Sequence, residues 1–507
     1  MPRTWFWPAQ LWRKQPHMSN EQTGSVGSPS QVTSAPMVDH SALHRGLGVP
    51  SIVAMVVAGA APLAVVSLTV PIVITLGGSI AAPLLFVIAG VLLVLFSVGF
   101  TSMARHVRNS GAFYSYIQAG LGRFTGLGAA TLALVSYFLL QVGLYAYVGI
   151  SATGAMDRFF SIDTPWWIWA LVAFAIVSLL GYRDIELSSK VLIVALLAET
   201  SAVLILDGAI FFTGGADGWS AEPFNPSLLS SGSPSLGLMF ALFSFIGFEA
   251  TAVFRNEARD PDTTIPRATY VAVISVAALY AISAFALVLG AGPDQALDVA
   301  TADPASMTPD LYLEFTGAVI NDLTTVLLIS STFACTLTFH NVLSRYQYTL
   351  GSLKVLPTKL ATVHPQHSAP SFSSLVVTII SGAMLVAMML IGLDPVLEIY
   401  TWFSGAATLG LLTLMALTSV AVIAFFRAHS GEKNVLSTII APALAAVGLV
   451  SVVVIGLMNI ELLIPSSGAT ATLLTILVTS FVIGIIVAAR MKRTNPVAFE
   501  HLHDQES

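Results

Sequence analysis

Glu199 lies in the middle of an apolar run from Val191 to Phe212. A carboxylate there is tolerated only where it faces protein or water, so it marks a functional position by default. A second carboxylate, Glu249, follows Gly247 inside another apolar stretch, SFIGFEA, and a lone intramembrane histidine, His340, sits beside Phe339. Acids at that depth can bind a proton or a cation, or accept hydrogen bonds from backbone amides left over where a helix is interrupted. Such interruptions are written into two runs. AGAAP, from Ala58 to Pro62, combines small residues with a proline that lacks a donor, and Gly247 sits beside Phe248 and Glu249. The two breaks are five runs apart, the spacing expected when two inverted five-helix repeats each begin with a broken helix whose open backbone lines a cavity.

These groups sit on a chain built to meet lipid. Only 9% of residues are charged and 55% are hydrophobic, against roughly 25% charged in soluble domains. Twelve runs are long enough to cross a ~30 Å hydrocarbon layer, at about 51–77, 80–103, 125–153, 166–182, 191–212, 236–254, 268–290, 317–345, 371–392, 396–426, 436–459 and 468–489. The fold class expected is an all-α polytopic membrane protein of 12 transmembrane helices, a five-plus-five inverted repeat with helices 1 and 6 broken. Placing the N-terminus in the cytoplasm puts all of the 21 Lys and Arg except Arg158 on the inner side, the positive-inside pattern, with both termini cytoplasmic. The loop between the seventh and eighth runs is acidic, carrying Asp294, Asp298, Asp303, Asp310 and Glu314. A net charge of −6 gives no reason to invoke a nucleic-acid partner.

The single cysteine, Cys335, excludes an internal disulfide and a multi-cysteine metal cluster, and reads as packing. Of the ten histidines only His340 is at membrane depth, so a metal site lacks ligands there; His340 reads as a satisfied polar group in preference to a proton relay. No cofactor is implied. Residues 1–45 are rich in Ser, Gln, Pro and Thr without an apolar signal core and read as a disordered cytoplasmic tail, with Met1, Met18 or Met37 as the start. Residues 46–490 read as one membrane domain of 12 transmembrane helices and 491–507 as a cytoplasmic C-terminal tail.

Three segments carry a resemblance. Between the second and third runs stand Gly111, Ala112, Tyr114, Tyr116 and Gly120. After the sixth come Gly247, Phe248, Glu249, Glu257, Asp260, Pro261 and Ile265 to Ala268. The eighth ends in Asn341, Ser344, Arg345, Tyr348, Leu356 and Pro357. Together they resemble the amino acid/polyamine/organocation permeases over roughly residues 45 to 490. Two departures are visible: AGAAPLAVV replaces the family's Gly-Ser-Gly-type first-helix segment, and Gly351 to Val355 replaces its acidic Gly-rich loop.

The resemblance implies a secondary transporter importing an amino acid or related amine across the cytoplasmic membrane by alternating access, with a proton as coupling ion and no enzymatic activity. Its substrate-binding positions fall on Ala60, Ala61, Ala64 and Val65 at the first break, on Phe243, Ser244, Ile246 and Gly247 at the second, and on Phe339. Phe243 matches an aromatic gate over the substrate, and Phe339 an aromatic lining the side-chain pocket. Glu199 and Glu249 are the coupling candidates: Glu199 matches a fifth-helix position where some proton-coupled relatives hold a lysine in a sodium-like site. Glu249 is equally fit to hold the unwound turn. A polyamine permease or an exchanger is the alternative. A channel would call for repeated filter segments or charged rings, and an enzyme for a clustered nucleophile, base or metal set; neither is found.

Overall fold

The computed structural model describes residues 48–107, 112–183, 189–249, 251, 258–364, 370–429, 434–500 and 502. The expected tail at 1–45 and the motif residues Gly111 and Glu257 lie outside them. Among the described residues the regular elements are helices, without a strand. Nine are long and apolar enough to cross a membrane, which makes this a multi-pass membrane protein.

In chain order the helices that matter are α1 (Val49–Gly59), α2 (Pro62–Gly77), α3 (Ala82–Ala104), α4 (Ala112–Leu121), α5 (Arg123–Phe160), α6 (Trp166–Tyr182), α7 (Ser189–Thr213), α8 (Pro234–Phe243) and α9 (Pro261–Ala291). They are followed by α10 (Ala296–Ala302), α11 (Met307–Thr316), α12 (Ala318–Ser352), α13 (Ser371–Ile391), α14 (Pro395–Ala428), α15 (Leu436–Met458), α16 (Ser467–Thr494) and α17 (Pro496–Glu500). Of the twelve runs, three correspond to shorter elements. The first is divided into α1 and α2, the fourth is the 17-residue α6, and the sixth is helical over α8 and then turns.

Prolines mark where helices begin. Pro62, Pro83, Pro234 and Pro261 each stand in a first turn, where the missing N–H has no intrahelical partner to lose. Burial then sorts the bundle. The apolar window of α5 is 89% buried, whereas that of α13 is 22% buried, so α5 is the central pillar and α13 faces lipid. Side chains such as Val319, Leu390 and Phe212 are correspondingly exposed, as a lipid-facing surface requires.

Both breaks are present. Ala61, between α1 and α2, adopts a left-handed conformation at φ 46°. Within α2, residues Val65–Thr69 form a π-helical turn, a form that recurs at functional sites. After α8 the chain runs through turns over residues 244–249, with Gly247 at φ 112°, a region that disfavours a side chain. The connector between the second and third runs includes α4, whose Phe113, Tyr114, Tyr116 and Ile117 are buried. α12 continues in one helix past the expected end at 345 to Ser352. The last helix likewise passes the expected boundary at 490, and Phe499 and Leu502 beyond it are buried. Gln118 Nε2 donates to the Leu502 carbonyl at 2.9 Å, and the Arg123 guanidinium lies 5.3 Å from the Phe499 ring centre.

Candidate functional site

A cavity of about 40 Å³ lies between the two breaks, space for about three waters. Its wall brings together eight of the sequence-derived positions: Ala60, Ala61, Ala64, Val65, Phe243, Ser244, Ile246 and Phe339. Gly247 is not on that wall. Its N–H instead donates to Glu249 Oε2 at 2.8 Å.

Three helix ends meet at this space. α1 stops at Gly59, leaving late carbonyls exposed. α2 begins at Pro62 behind Ala61, which has no side-chain group to cap the first-turn amides. α8 stops at Phe243, and the next amides fold back in short turns, Phe245 N–H to Leu242 O at 3.1 Å and Ile246 N–H to Phe243 O at 3.0 Å. One wall therefore presents the partial positive charge of a helix N-terminus, and two others the partial negative charge of C-terminal carbonyls. A small molecule carrying both a carboxylate and an ammonium matches that polarity.

Donors from four other helices hold the first break open. Cys335 Sγ–H on α12 points to the Gly59 carbonyl at 3.6 Å, and the Tyr280 hydroxyl on α9 donates to Ala60 O at 3.2 Å. Tyr147 on α5 donates to Ala64 O at 2.7 Å, and Thr308 on α11 to Val66 O at 3.1 Å. The last two serve carbonyls at the entry to the π-helical turn, where the normal ladder is displaced. Cys335, expected as packing, thus lines the cavity, one helical turn before Phe339 on the same face of α12.

Tyr147 and Tyr400 are wall residues that the sequence reading did not pick out. Their rings meet at 5.2 Å, and Tyr400 lies 6.2 Å from Phe243, giving an aromatic cluster over the cavity. Tyr400 is fixed by a 2.9 Å hydrogen bond with Thr69. Mid-membrane tyrosines with buried hydroxyls were the available signal; their rotation about the helix axis was not.

Both coupling candidates lie off the cavity wall. Glu199, on α7, is buried and accepts from Ser331 Oγ at 2.8 Å, with the Leu63 backbone amide of α2 as a further donor. It therefore bridges α7, α12 and the open N-terminus of α2. Glu249 accepts from the Tyr137 hydroxyl at 2.7 Å as well as from Gly247. Tyr137 is in turn packed 6.0 Å from Phe339, which ties the second break to the far wall. His340 points elsewhere: its Nε2 lies 2.9 Å from Ser374 Oγ on α13. Its ring also occupies the space beside Gly181 of α6, where a Cβ would meet it. Sequence reasoning missed Asp207, also on α7 and also buried. Among the described residues no cluster of His, Cys, Asp and Glu is arranged to hold a metal.

Comparison with known proteins gives the family. A family model described as amino acid permease matches residues 47–495. An uncharacterized transporter of Mycobacterium tuberculosis is 25% identical over 374 residues, 69% of this chain and 74% of that protein. Cationic amino acid transporter 7, chloroplastic, of Arabidopsis thaliana is 25% identical over 56% of this chain and 51% of its own length. A probable GABA permease of Pseudomonas aeruginosa is 29% identical over 41% of this chain and 45% of its own.

Proposed function

Because this chain belongs to the amino acid permease family, we propose that it carries an amino acid across the cytoplasmic membrane by alternating access, driven by proton symport. The observation that carries this reading is the polarity of the cavity, a helix N-terminus facing two helix C-termini. The N-terminal end of α2, where Leu63 donates to Glu199, would face the substrate carboxylate, and the carbonyl ends of α1 and α8 its ammonium group. Relatives named for cationic amino acids and for GABA support a substrate with both groups. A polyamine is the weaker reading, since no Asp or Glu lines the cavity to meet a second ammonium.

The architecture proposed with it is twelve crossings in a five-plus-five inverted repeat. α1 with α2 makes the first, α6 the fourth, and α8 with the turn after it the sixth. Both termini are placed inside, because Lys and Arg other than Arg158 fall on that side. Cysteines introduced at Asp298 and Asp310 should react with an impermeant external reagent while those at Arg259 and Lys354 stay protected; the reverse pattern inverts the orientation.

For coupling, Glu199 is the proposed proton carrier. Its partners Ser331 and Leu63 belong to α12 and α2, so a change in its charge alters how α7 holds the open end of α2. Uptake of labelled amino acids and polyamines into proteoliposomes, with and without an imposed pH gradient, tests the whole reading. Glu199→Gln keeps an acceptor for both donors, so it should retain counterflow exchange and lose gradient-driven accumulation. Accumulation equal to wild type in that variant removes Glu199 from the coupling step, and failure to move any amino acid overturns the function.

A further inference from the structure

α7 carries a second buried carboxylate that none of the above employs. Asp207 is 2% exposed and lies two turns beyond Glu199, roughly 12 Å along the axis at 1.5 Å per residue. It shares the buried face of α7 with Glu199, Val203, Leu206 and Ile210. Ser283 Oγ on α9 donates to its Oδ2 at 2.8 Å, while its Oδ1 is buried without a hydrogen-bond partner. The hydroxyl of Tyr312 on α11, a helix packed against α7, is also buried and unpartnered.

We propose that Asp207, with Ser283, forms a second proton-binding site, distinct from Glu199 and placed toward the α11 end of α7. The surroundings offer an ionised carboxylate nothing else. α1 and α2 contain no charged or titratable side chain. α9 contributes Ser283 and, one turn away, Tyr280, whose hydroxyl is bound to Ala60 O. α11 contributes Tyr312, with Asp310 and Glu314 on its exposed side. On α12, Asp322 is joined to Arg158 at 2.8 Å. No cation therefore balances Asp207 among the described residues, and an ionised oxygen buried without a donor is costly. One proton added at Oδ1 takes the group from an anion to a neutral acid, makes Oδ1 a donor, and leaves Oδ2 to accept from Ser283 as before.

The inference rests on the proton-coupled reading for its purpose, as a relay between the α11 side and Glu199, but its test needs no transport. Infrared difference spectra of the purified protein between acidic and alkaline buffer report protonated carboxyl groups directly. A C=O band present in wild type and in Glu199→Gln, lost in Asp207→Asn and displaced in Ser283→Ala, is the expected result. Identical carboxyl bands in wild type and Asp207→Asn overturn the site. Should Asp207→Asn not fold, Ser283→Ala decides alone: a displaced band supports the site and an unmoved one overturns it. A protein that shows the band yet accumulates no amino acid in vesicles would retire the transport reading and leave this site standing.

Discussion

The two breaks are held open by opposite chemistry. At the first, backbone carbonyls are freed, and the groups that meet them are donors, Cys335, Tyr280, Tyr147 and Thr308, arriving from four separate helices. At the second, a freed amide at Gly247 is met by an acceptor two residues further along the same chain, Glu249. Its links outward are the Tyr137 hydroxyl on Glu249 and Thr269, whose hydroxyl donates to Thr251 at 2.9 Å. The first break thus depends on where its neighbours stand, whereas the second carries most of its own support and can shift as a unit. In a carrier that must rearrange around a central ligand, the first break is suited to sensing the bundle and the second to moving within it.

Removing Glu249 tests that contrast most severely. Glu249→Ala leaves both the Gly247 amide and the Tyr137 hydroxyl buried without an acceptor, at about 1–3 kcal/mol each. Thermal unfolding in detergent should fall well below wild type, and Glu249→Gln, which keeps an acceptor, should recover most of the difference. A milder loss is expected for Tyr147→Phe, which preserves the ring against Tyr400 but strips the donor from one carbonyl, about 1–3 kcal/mol in total. If that single hydroxyl proves as costly as the whole Glu249 carboxylate, the two breaks do not differ in the way described.

Smaller still is Cys335→Ala, because a thiol is a weak donor and its partner carbonyl is 3.6 Å away. Stability should change little. The informative readout is reactivity: a small thiol reagent should modify Cys335 slowly, and a transported amino acid should slow it further by filling the cavity. Protection that is absent for every substrate moved would place the binding position elsewhere. Phe243→Leu should act on KM more than on unfolding temperature, since it trims the aromatic cluster while keeping an apolar filling; unchanged kinetics would return Phe243 to a packing role.

How much of this was written in the sequence depends on whether a feature is local. Helical class and the two interruptions were legible, because Ala-Ala-Pro and Gly-Phe-Glu act on the backbone where they occur. The gathering of Ala61, Ala64, Phe243 and Phe339 around one space followed from those breaks and from the family likeness. Tyr147 and Tyr400 were not legible. α5 is buried almost all round, so its apolar pattern carries no face from which to orient Tyr147. Gly247 was assigned to the cavity because it marks the break, but its amide is taken by the next carboxylate, a contact that depends on the turn's conformation. Asp207 could have been found by stepping two helical turns from Glu199 along one face of α7, with no structure required.

The left-handed backbone of Ala61 has one more consequence, for how long the protein dwells in each state. An alanine held at φ 46° carries a conformational cost of about 1–3 kcal/mol that glycine would not. The occupancies of two conformations differ by the exponential of their free-energy difference, and about 1.4 kcal/mol is a tenfold change in occupancy. A conformation that lets this residue relax is therefore favoured by roughly that factor through one methyl group alone. Whichever conformation relaxes Ala61 gains in the resting balance, independently of any contact that its place on the cavity wall makes with a ligand.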